Sequence, residues 1–240
     1  MLDRICEGAR RMGIALPEGA AEKMARFHEL LMRANAQFNL TRVPDDPEEA
    51  VCRNFLDSLS PLAQDGLIQG RTLLDLGSGA GFPGVPLAIA RPDLRVTLMD
   101  SLGKRVGFLN DAIRELQIDA RAVHLRAEEA ARLPEWREQF DVVTARAVAA
   151  LPTLTELALP FVRVGGRVVA YKGPAAAEEL EQARAALHQL GGQAGQILPA
   201  PIPGREEWEH CLVTLEKRRS TPRRFPRKPG EAGRRPILDE

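Results

Sequence analysis

At 240 residues the chain is long enough for one α/β domain with an appendage and a full core, and its 44% hydrophobic content fits a soluble globular protein. No apolar run approaches the length of a membrane span and MLDRICEGARRMG lacks the apolar segment of a secretory signal, so the composition argues against spanning or secreted proteins. Formal net charge is zero, and Cys6, Cys52 and Cys211, odd in number and without metal-ligand spacing, read as reduced thiols of a cytosolic protein.

The first predicted helix covers residues 2–12, ended by Gly13 and followed by Pro17. Met24, Phe27, Leu31, Ala34 and Phe38 recur at steps of three and four, one apolar stripe on a longer helix. Asn39-Leu40-Thr41 and the segment 44–47 break it. Asp46 can cap a third helix with Pro47 at its first position, burying Ala50, Val51, Phe55, Leu56 and Leu59. Residues 1–65 therefore read as a helical cap, with Gly66 and Gly70 marking the boundary of a main domain over 66–216.

From residue 71 strands and helices alternate, which predicts a parallel sheet wound with helices on both faces. The spacing places strands at 72–76, 95–100, 121–125, 140–144 and 167–172, with helices at about 84–91, 103–117, 128–132 and 151–162 between them. A further helix runs from Ala175 to Leu190, closed by Gly191-Gly192. Gln196 to Leu198 and Cys211 to Leu215 have too little chain between them for a crossover helix and are expected to pair as antiparallel strands at one edge. The fold class is α/β: a doubly wound, seven-stranded, mostly parallel sheet. A final antiparallel pair is the arrangement of S-adenosylmethionine methyltransferases, whereas nicotinamide-binding folds usually end without it.

Between the first strand and its helix lies Gly77-Ser78-Gly79-Ala80-Gly81-Phe82-Pro83-Gly84. A glycine-rich turn between strand and helix brings backbone N–H groups to a ligand at the helix end. The dinucleotide pattern G-x-G-x-x-G would need its third glycine at Phe82; the pattern present is D-x-G-x-G-x-G, opening on Asp75. That version suits S-adenosylmethionine: with no pyrophosphate to cradle the loop is tighter, and the Asp75 carboxylate can face the methionine amino group. The alternative is a turn that serves only close strand–helix packing.

Ligands of doubly wound sheets sit beyond the carboxyl ends of the strands. There the first strand offers Asp75, Gly77 and Gly79, with Phe82 as a pocket wall. The second offers Asp100, suited to accept hydrogen bonds from both ribose hydroxyls, with Ser101 and Leu102 beside it. Ala127-Glu128 after the third strand can meet the adenine edge, whose amine needs an acceptor; otherwise Glu128 merely opens a helix. The fourth and fifth strand ends, Thr144-Ala145-Arg146-Ala147 and Tyr171-Lys172-Gly173, would hold the methyl acceptor. No Asp/Asn-Pro-Pro-aromatic segment and no cysteine lies there, which argues against exocyclic-amine and pyrimidine C5 acceptors. An acceptor already nucleophilic, such as guanine N7, fits, with Arg146 and Lys172 on its phosphate or base edge. Lys104 and Arg105 sit against the dipole at a helix start, so a phosphate contact is expected of them. No catalytic residue is assigned.

Residues 217–235 carry nine Lys or Arg against the single acid Glu231, so the neutral chain divides into a tail of +8 and a body of −8. Such a tail points to a polyanion, with Arg223, Arg224, Arg227 and Lys228 as RNA contacts. Proline and arginine dominate it without periodicity, and residues 217–240 are expected to be disordered.

The stretch LLDLGSGAGFPGVPLAIARPDLRVTLMDSLGKRVGFL, with Asn39-Leu40-Thr41, Phe55-Leu56-Asp57-Ser58, Arg126-Ala127-Glu128, Ala145-Arg146-Ala147 and Phe225-Pro226-Arg227-Lys228-Pro229-Gly230, resembles the bacterial small-subunit rRNA methyltransferases of the RsmG (GidB) family over nearly the whole chain. The resemblance implies methyl transfer from S-adenosylmethionine to N7 of a guanine in the decoding region of 16S rRNA. It implies naked 16S rRNA or the small ribosomal subunit as partner, a cytoplasmic location, and neither metal nor membrane. Cofactor contacts would fall on Gly77, Phe82, Asp100-Ser101-Leu102, Ala127-Glu128 and Arg146. One departure is Asn54, where the family usually has histidine. Two other readings stay open: a non-catalytic RNA-binding ribosome assembly factor that retains the cofactor fold, and a nicotinamide-dependent oxidoreductase.

Overall fold

In a computed structural model of the chain, residues 1–38, 40–41, 44 and 46–238 are described. Asn39 of the Asn39-Leu40-Thr41 motif and the Phe38 side chain at the end of the apolar stripe lie outside that description.

The sheet runs β1 (Thr72–Leu76), β2 (Arg95–Asp100), β3 (Ala120–His124), β4 (Phe140–Arg146), β5 (Val162–Lys172), β6 (Gly192–Pro199) and β7 (Cys211–Lys217), in the spatial order β3-β2-β1-β4-β5-β7-β6. The first five are parallel, and β7 enters antiparallel between β5 and β6. Leu73, Leu74 and Leu76 of β1 are all buried, as a strand covered on both faces requires. β1 pairs with β2 on one side and β4 on the other, so the chain reverses its direction of winding there and a crevice opens beyond their carboxyl ends.

The crossover helices are α5 (Gly84–Ala90), α6 (Gly103–Leu116), α7 (Ala127–Ala130), α8 (Leu151–Ala158), α9 (Ala176–Gln182) and α10 (Arg184–Leu190). The helix expected over 175–190 is thus two, parted at Ala183. β5 begins at Val162 rather than 167, because Gly165, at φ +86°, turns the chain and Gly166 packs against the Asp141 carbonyl before the ladder resumes at Arg167.

The N-terminal helices are α1 (Leu2–Arg11), α2 (Ala20–Phe38), α3 (Pro47–Ala50) and α4 (Asp57–Leu59), the last two joined by a π-helical turn over Val51–Leu56. Asp46 caps α3 by accepting from the Glu48 and Glu49 amides, as its sequence context predicts. The stripe Met24, Phe27 and Leu31, with Phe55, Leu56 and Leu59, shares one buried cluster with α5 and α6. Phe82 of the glycine loop sits within it, ring centroids 5.4 Å from Phe27 and 5.7 Å from Phe55. The glycine loop is therefore clamped to the N-terminal helices through three aromatic rings.

As far as residue 238 the tail contradicts its expected disorder. Lys217 is buried, donating to the Leu159 carbonyl at 2.8 Å and lying 3.2 Å from the Glu138 carboxylate. Arg137 donates to the carbonyls of Thr221 and Phe225, and Phe225 is buried in the second core cluster. Arg227 holds both oxygens of buried Glu156, and the Gly230 amide donates to Glu128 Oε1 at 2.9 Å. A short helix, α11 (Glu231–Arg234), closes the strap. Periodicity cannot register such a segment, because its backbone is satisfied by side chains of the body rather than by a ladder of its own.

Candidate active site

Asp75, at the end of β1, is completely buried. Its Oδ2 accepts from the Gly84 amide at 3.0 Å and its Oδ1 from the Thr144 hydroxyl at 3.1 Å. Burial pushes its carboxyl up to about 6 against these two donors. Because Asp75 has no exposed surface, and its oxygens tie β1 to β4 and α5, the expectation that it faces a ligand is corrected: it shapes the loop from beneath.

Gly77, Gly79 and Gly81 all have positive φ, at 70°, 58° and 103°. A Cβ at Gly77 would meet Val148 at 2.9 Å, and one at Gly81 would meet Leu109, Phe27 and Val85 at 2.9 Å. At Gly79 nothing lies nearer than the Gly77 carbonyl at 3.9 Å, so this is the glycine whose bare face opens outward. The Gly79 amide donates to Asp100 Oδ2 and the Leu102 amide to Asp100 Oδ1, both at 2.9 Å. Asp100 thus joins the loop to the turn after β2, with Arg105 Nη1 at 3.5 Å. Ser101 is exposed, and Leu102, 51% exposed, offers an apolar surface. Lys104 is also exposed, at the start of α6.

Ala127 opens α7 half-buried, and Glu128 is buried. One Glu128 oxygen is committed to the strap through Gly230, a partner that no local pattern in the sequence announces. The structure thus places Gly79, Asp100, Leu102 and Glu128 together beyond the carboxyl ends of β1, β2 and β3. Phe82 forms no outer wall; it is buried in the aromatic cluster, with Arg146, which lines the neighbouring cleft, 5.4 Å above its ring.

That cleft, of about 580 Å³, lies at the ends of β4 and β5, between Arg146 and Lys172 on the sheet, Arg53, Asn54 and Asp57 on the helical cap, and Trp208 and His210 before β7. Arg146 Nη1 donates to Asp57 Oδ2 and to the Arg53 carbonyl, both at 2.7 Å. His210 Nδ1 lies 3.0 Å from Asp57 Oδ1. Burial alone would raise the Asp57 carboxyl, but His210 and Arg146 outweigh it and hold it below its ordinary value. Lys172 Nζ is engaged by Glu179 at 2.6 Å and the Ala149 carbonyl at 2.8 Å, so the expected substrate contact becomes an anchor in the cleft wall. The Tyr171 hydroxyl donates to the Ser58 carbonyl, binding β5 to the cap.

The sequence by itself assigns no role to Asp57, Trp208 or His210. Asp57 carries a signal in retrospect: a carboxylate among Phe55, Leu56 and Leu59 on a buried helical face demands a partner. Trp208 and His210 carry none, since the antiparallel return of β7 is what brings them over the cleft. Of the expected RNA contacts in the tail, Arg223, Arg224 and Lys228 are exposed, whereas Arg227 is turned inward onto Glu156. The strap passes the same edge as the crevice, through Gly230 on Glu128 and the Ala232 carbonyl on Thr153 of α8. Among the described residues no helix is long and apolar enough to cross a membrane, and no group of three His, Cys, Asp or Glu could hold a metal ion.

Residues 20–200 match the family model described as rRNA small subunit methyltransferase G. The chain is 42% identical to the ribosomal RNA small subunit methyltransferase G of Lachnoclostridium phytofermentans, over 97% of this chain and 96% of that one. It is 43% identical to the protein of the same name from Lactobacillus delbrueckii subsp. bulgaricus, over 90% of this chain and 91% of that one. Among solved structures, the branched-chain polyamine synthase of Thermus thermophilus superposes with a TM-score of 0.58 at 17% identity, covering 86% of this chain and 66% of that one, a likeness of fold.

Proposed function

Since the chain belongs to the rRNA small subunit methyltransferase G family, we propose that it methylates N7 of a guanine in the decoding region of 16S rRNA. The reaction class and cofactor are those of the family: the chain is an S-adenosylmethionine-dependent rRNA methyltransferase. The finer reading takes Gly79, Asp100, Leu102, Ala127 and Glu128 as the seat of the cofactor. Asp100 accepts from the ribose hydroxyls, Leu102 lies against adenine, and the free Glu128 oxygen meets the adenine amine. The cleft beside Arg146 takes the acceptor base.

The observation that carries the choice of acceptor is the state of Asp57. It is the carboxylate of the cleft, and both its oxygens are already engaged, one by Arg146 and one by His210, so it is not poised to take a proton from a substrate. Guanine N7 carries no proton at neutral pH and asks for none to be removed. S-adenosylmethionine supplies a methyl group on a cationic sulfur; the N7 lone pair forms the new C–N bond as the C–S bond breaks, its electrons stay on sulfur, and the positive charge passes to the base. The protein's part is orientation of an in-line approach. Arg146, fixed between Phe82 and Asp57, forms the wall common to the two sites. Lys104, Arg223, Arg224 and Lys228 meet the RNA backbone.

The test is incubation with methyl-labelled S-adenosylmethionine and, separately, bare 16S rRNA, small ribosomal subunits or free guanosine nucleotides, followed by mapping of the product. Label is expected at one guanine N7 of the rRNA or the subunit. Cofactor binding without transfer to any RNA would leave the non-catalytic assembly factor as the better reading.

A further inference from the structure

Asn54 stands in the wall of the acceptor cleft, on the π-helical turn between α3 and α4, only 6% exposed. Its Nδ2 is buried and, among the described residues, has no hydrogen-bond partner. Among the described residues two other buried side-chain atoms share that condition, His28 Nδ1 and Ser60 Oγ, and neither residue lines this cleft. A buried donor without an acceptor is a standing cost that a folded protein rarely carries. The polar groups beside it are already engaged. Asp57 has one oxygen on Arg146 and the other on His210, and the Ser58 carbonyl receives the Tyr171 hydroxyl. The cleft that Asn54 lines is the open space from which an acceptor can come.

A guanine that presents N7 for methylation carries O6 on the same edge, and both atoms are acceptors. A donor directed at N7 would occupy the lone pair that has to attack the methyl group, so a productive donor must lie at O6. Adenine presents an amine at the corresponding place, donor against donor. Resting on the guanine-N7 reading above, we propose that the Asn54 side-chain amide donates to O6 of the target base and is the residue that selects guanine over adenine. A histidine at this position could donate from a ring nitrogen in the same way.

The experiment is a substitution cycle between protein and substrate. An rRNA fragment with guanine at the mapped position is compared with one carrying 2-aminopurine there, which keeps N7 and the 2-amino group and lacks O6. Both are methylated by the native protein, Asn54→Ala, the near-isosteric Asn54→Asp and Asn54→His. The native protein is expected to lose about tenfold in kcat/KM when O6 is removed, the worth of one hydrogen bond. Asn54→Ala and Asn54→Asp are expected to lose about as much on guanine and little more on 2-aminopurine, whereas Asn54→His keeps the preference. S-adenosylmethionine affinity is expected to be unchanged throughout. Losses that multiply, or a full preference for guanine in Asn54→Ala and Asn54→Asp, would overturn the assignment while leaving the methyltransferase reading intact. Absence of N7 methylation by the native protein would instead remove the reading on which it rests.

Discussion

A methyl group added at Gly84 would arrive 2.1 Å from a Leu98 methyl and 2.7 Å from Asp75 Oδ2, whereas one added at Gly79 would stand clear of the protein. Gly84→Ala is accordingly expected to cost about 1–3 kcal/mol of stability by overpacking, read as a lower urea midpoint. Gly79→Ala is expected to cost about 1–2 kcal/mol through its positive φ, and in addition to abolish S-adenosylmethionine binding in a calorimetric titration. Native affinity in Gly79→Ala would place the cofactor elsewhere. Asp100→Asn keeps the shape of the link between loop and turn and removes its charge. The dissociation constant for S-adenosylmethionine is expected to rise at least about tenfold, in line with the stronger hydrogen bonds a charged acceptor makes. An unchanged constant would take Asp100 out of the ribose contact. Both acids that shape this loop, Asp75 and Asp100, are legible as strand ends in the sequence, because the glycine spacing brackets them. Which way each carboxylate turns is not legible, since Asp75 is claimed by Thr144, 69 residues away.

Asp141, near the start of β4, accepts from the Arg71 and Thr72 amides at 2.8 and 2.9 Å and from the Thr72 hydroxyl, and pairs with Arg163 of β5. One carboxylate thus registers three central strands at the end opposite the active site. Burial works against its charge, but Arg163 and the donors of Thr72 and Arg71 prevail and bring its carboxyl down to about 2. A carboxyl lowered on folding stabilises in full above its ordinary value near 4 and loses that contribution as pH falls toward 2. Asp141→Asn is expected to lose about 1–2 kcal/mol at pH 7, discounted because Arg163 is half exposed, with the difference from the native protein vanishing near pH 2. A gap that does not narrow below pH 4 would show that shape rather than charge carries the link. At this scale most of the fold is legible: alternation of period-2 and period-3.6 segments yields the parallel sheet, and the short chain between the last two apolar runs yields the antiparallel pair. The two-part helix over 176–190 is not, because a single non-helical residue at Ala183 leaves the apolar pattern unbroken.

Across the whole molecule the C-terminal strap is what sequence composition misjudges, for composition counts Arg227 as charge available to solvent, while the fold turns it onto Glu156. Arg227→Ala is expected to cost about 3 kcal/mol, the low end for a buried carboxylate that loses its charged partner because the residue 227 amide still donates to Glu156 Oε1 at 2.7 Å, and to lower the melting temperature. A change near zero would show Glu156 finding another partner. Replacing Arg223, Arg224 and Lys228 together by Gln is expected to reduce the slope of log affinity for RNA against log salt by about 2–3, at roughly 0.7–0.9 for each phosphate no longer neutralised, with cofactor affinity unaltered. A constant slope would return these three residues to the role of solvated surface. The hydrogen bond from Gly230 to Glu128 bears on how the protein is born. Chains fold from the N-terminus as they are synthesised, and Glu128 and Glu156 leave the ribosome 102 and 71 residues ahead of the groups that hold them. In that interval they are acids without those partners, and the end of the sheet beside α7 is unfinished. A chain cut short before Gly230 is therefore expected to be not a trimmed protein but an immature one.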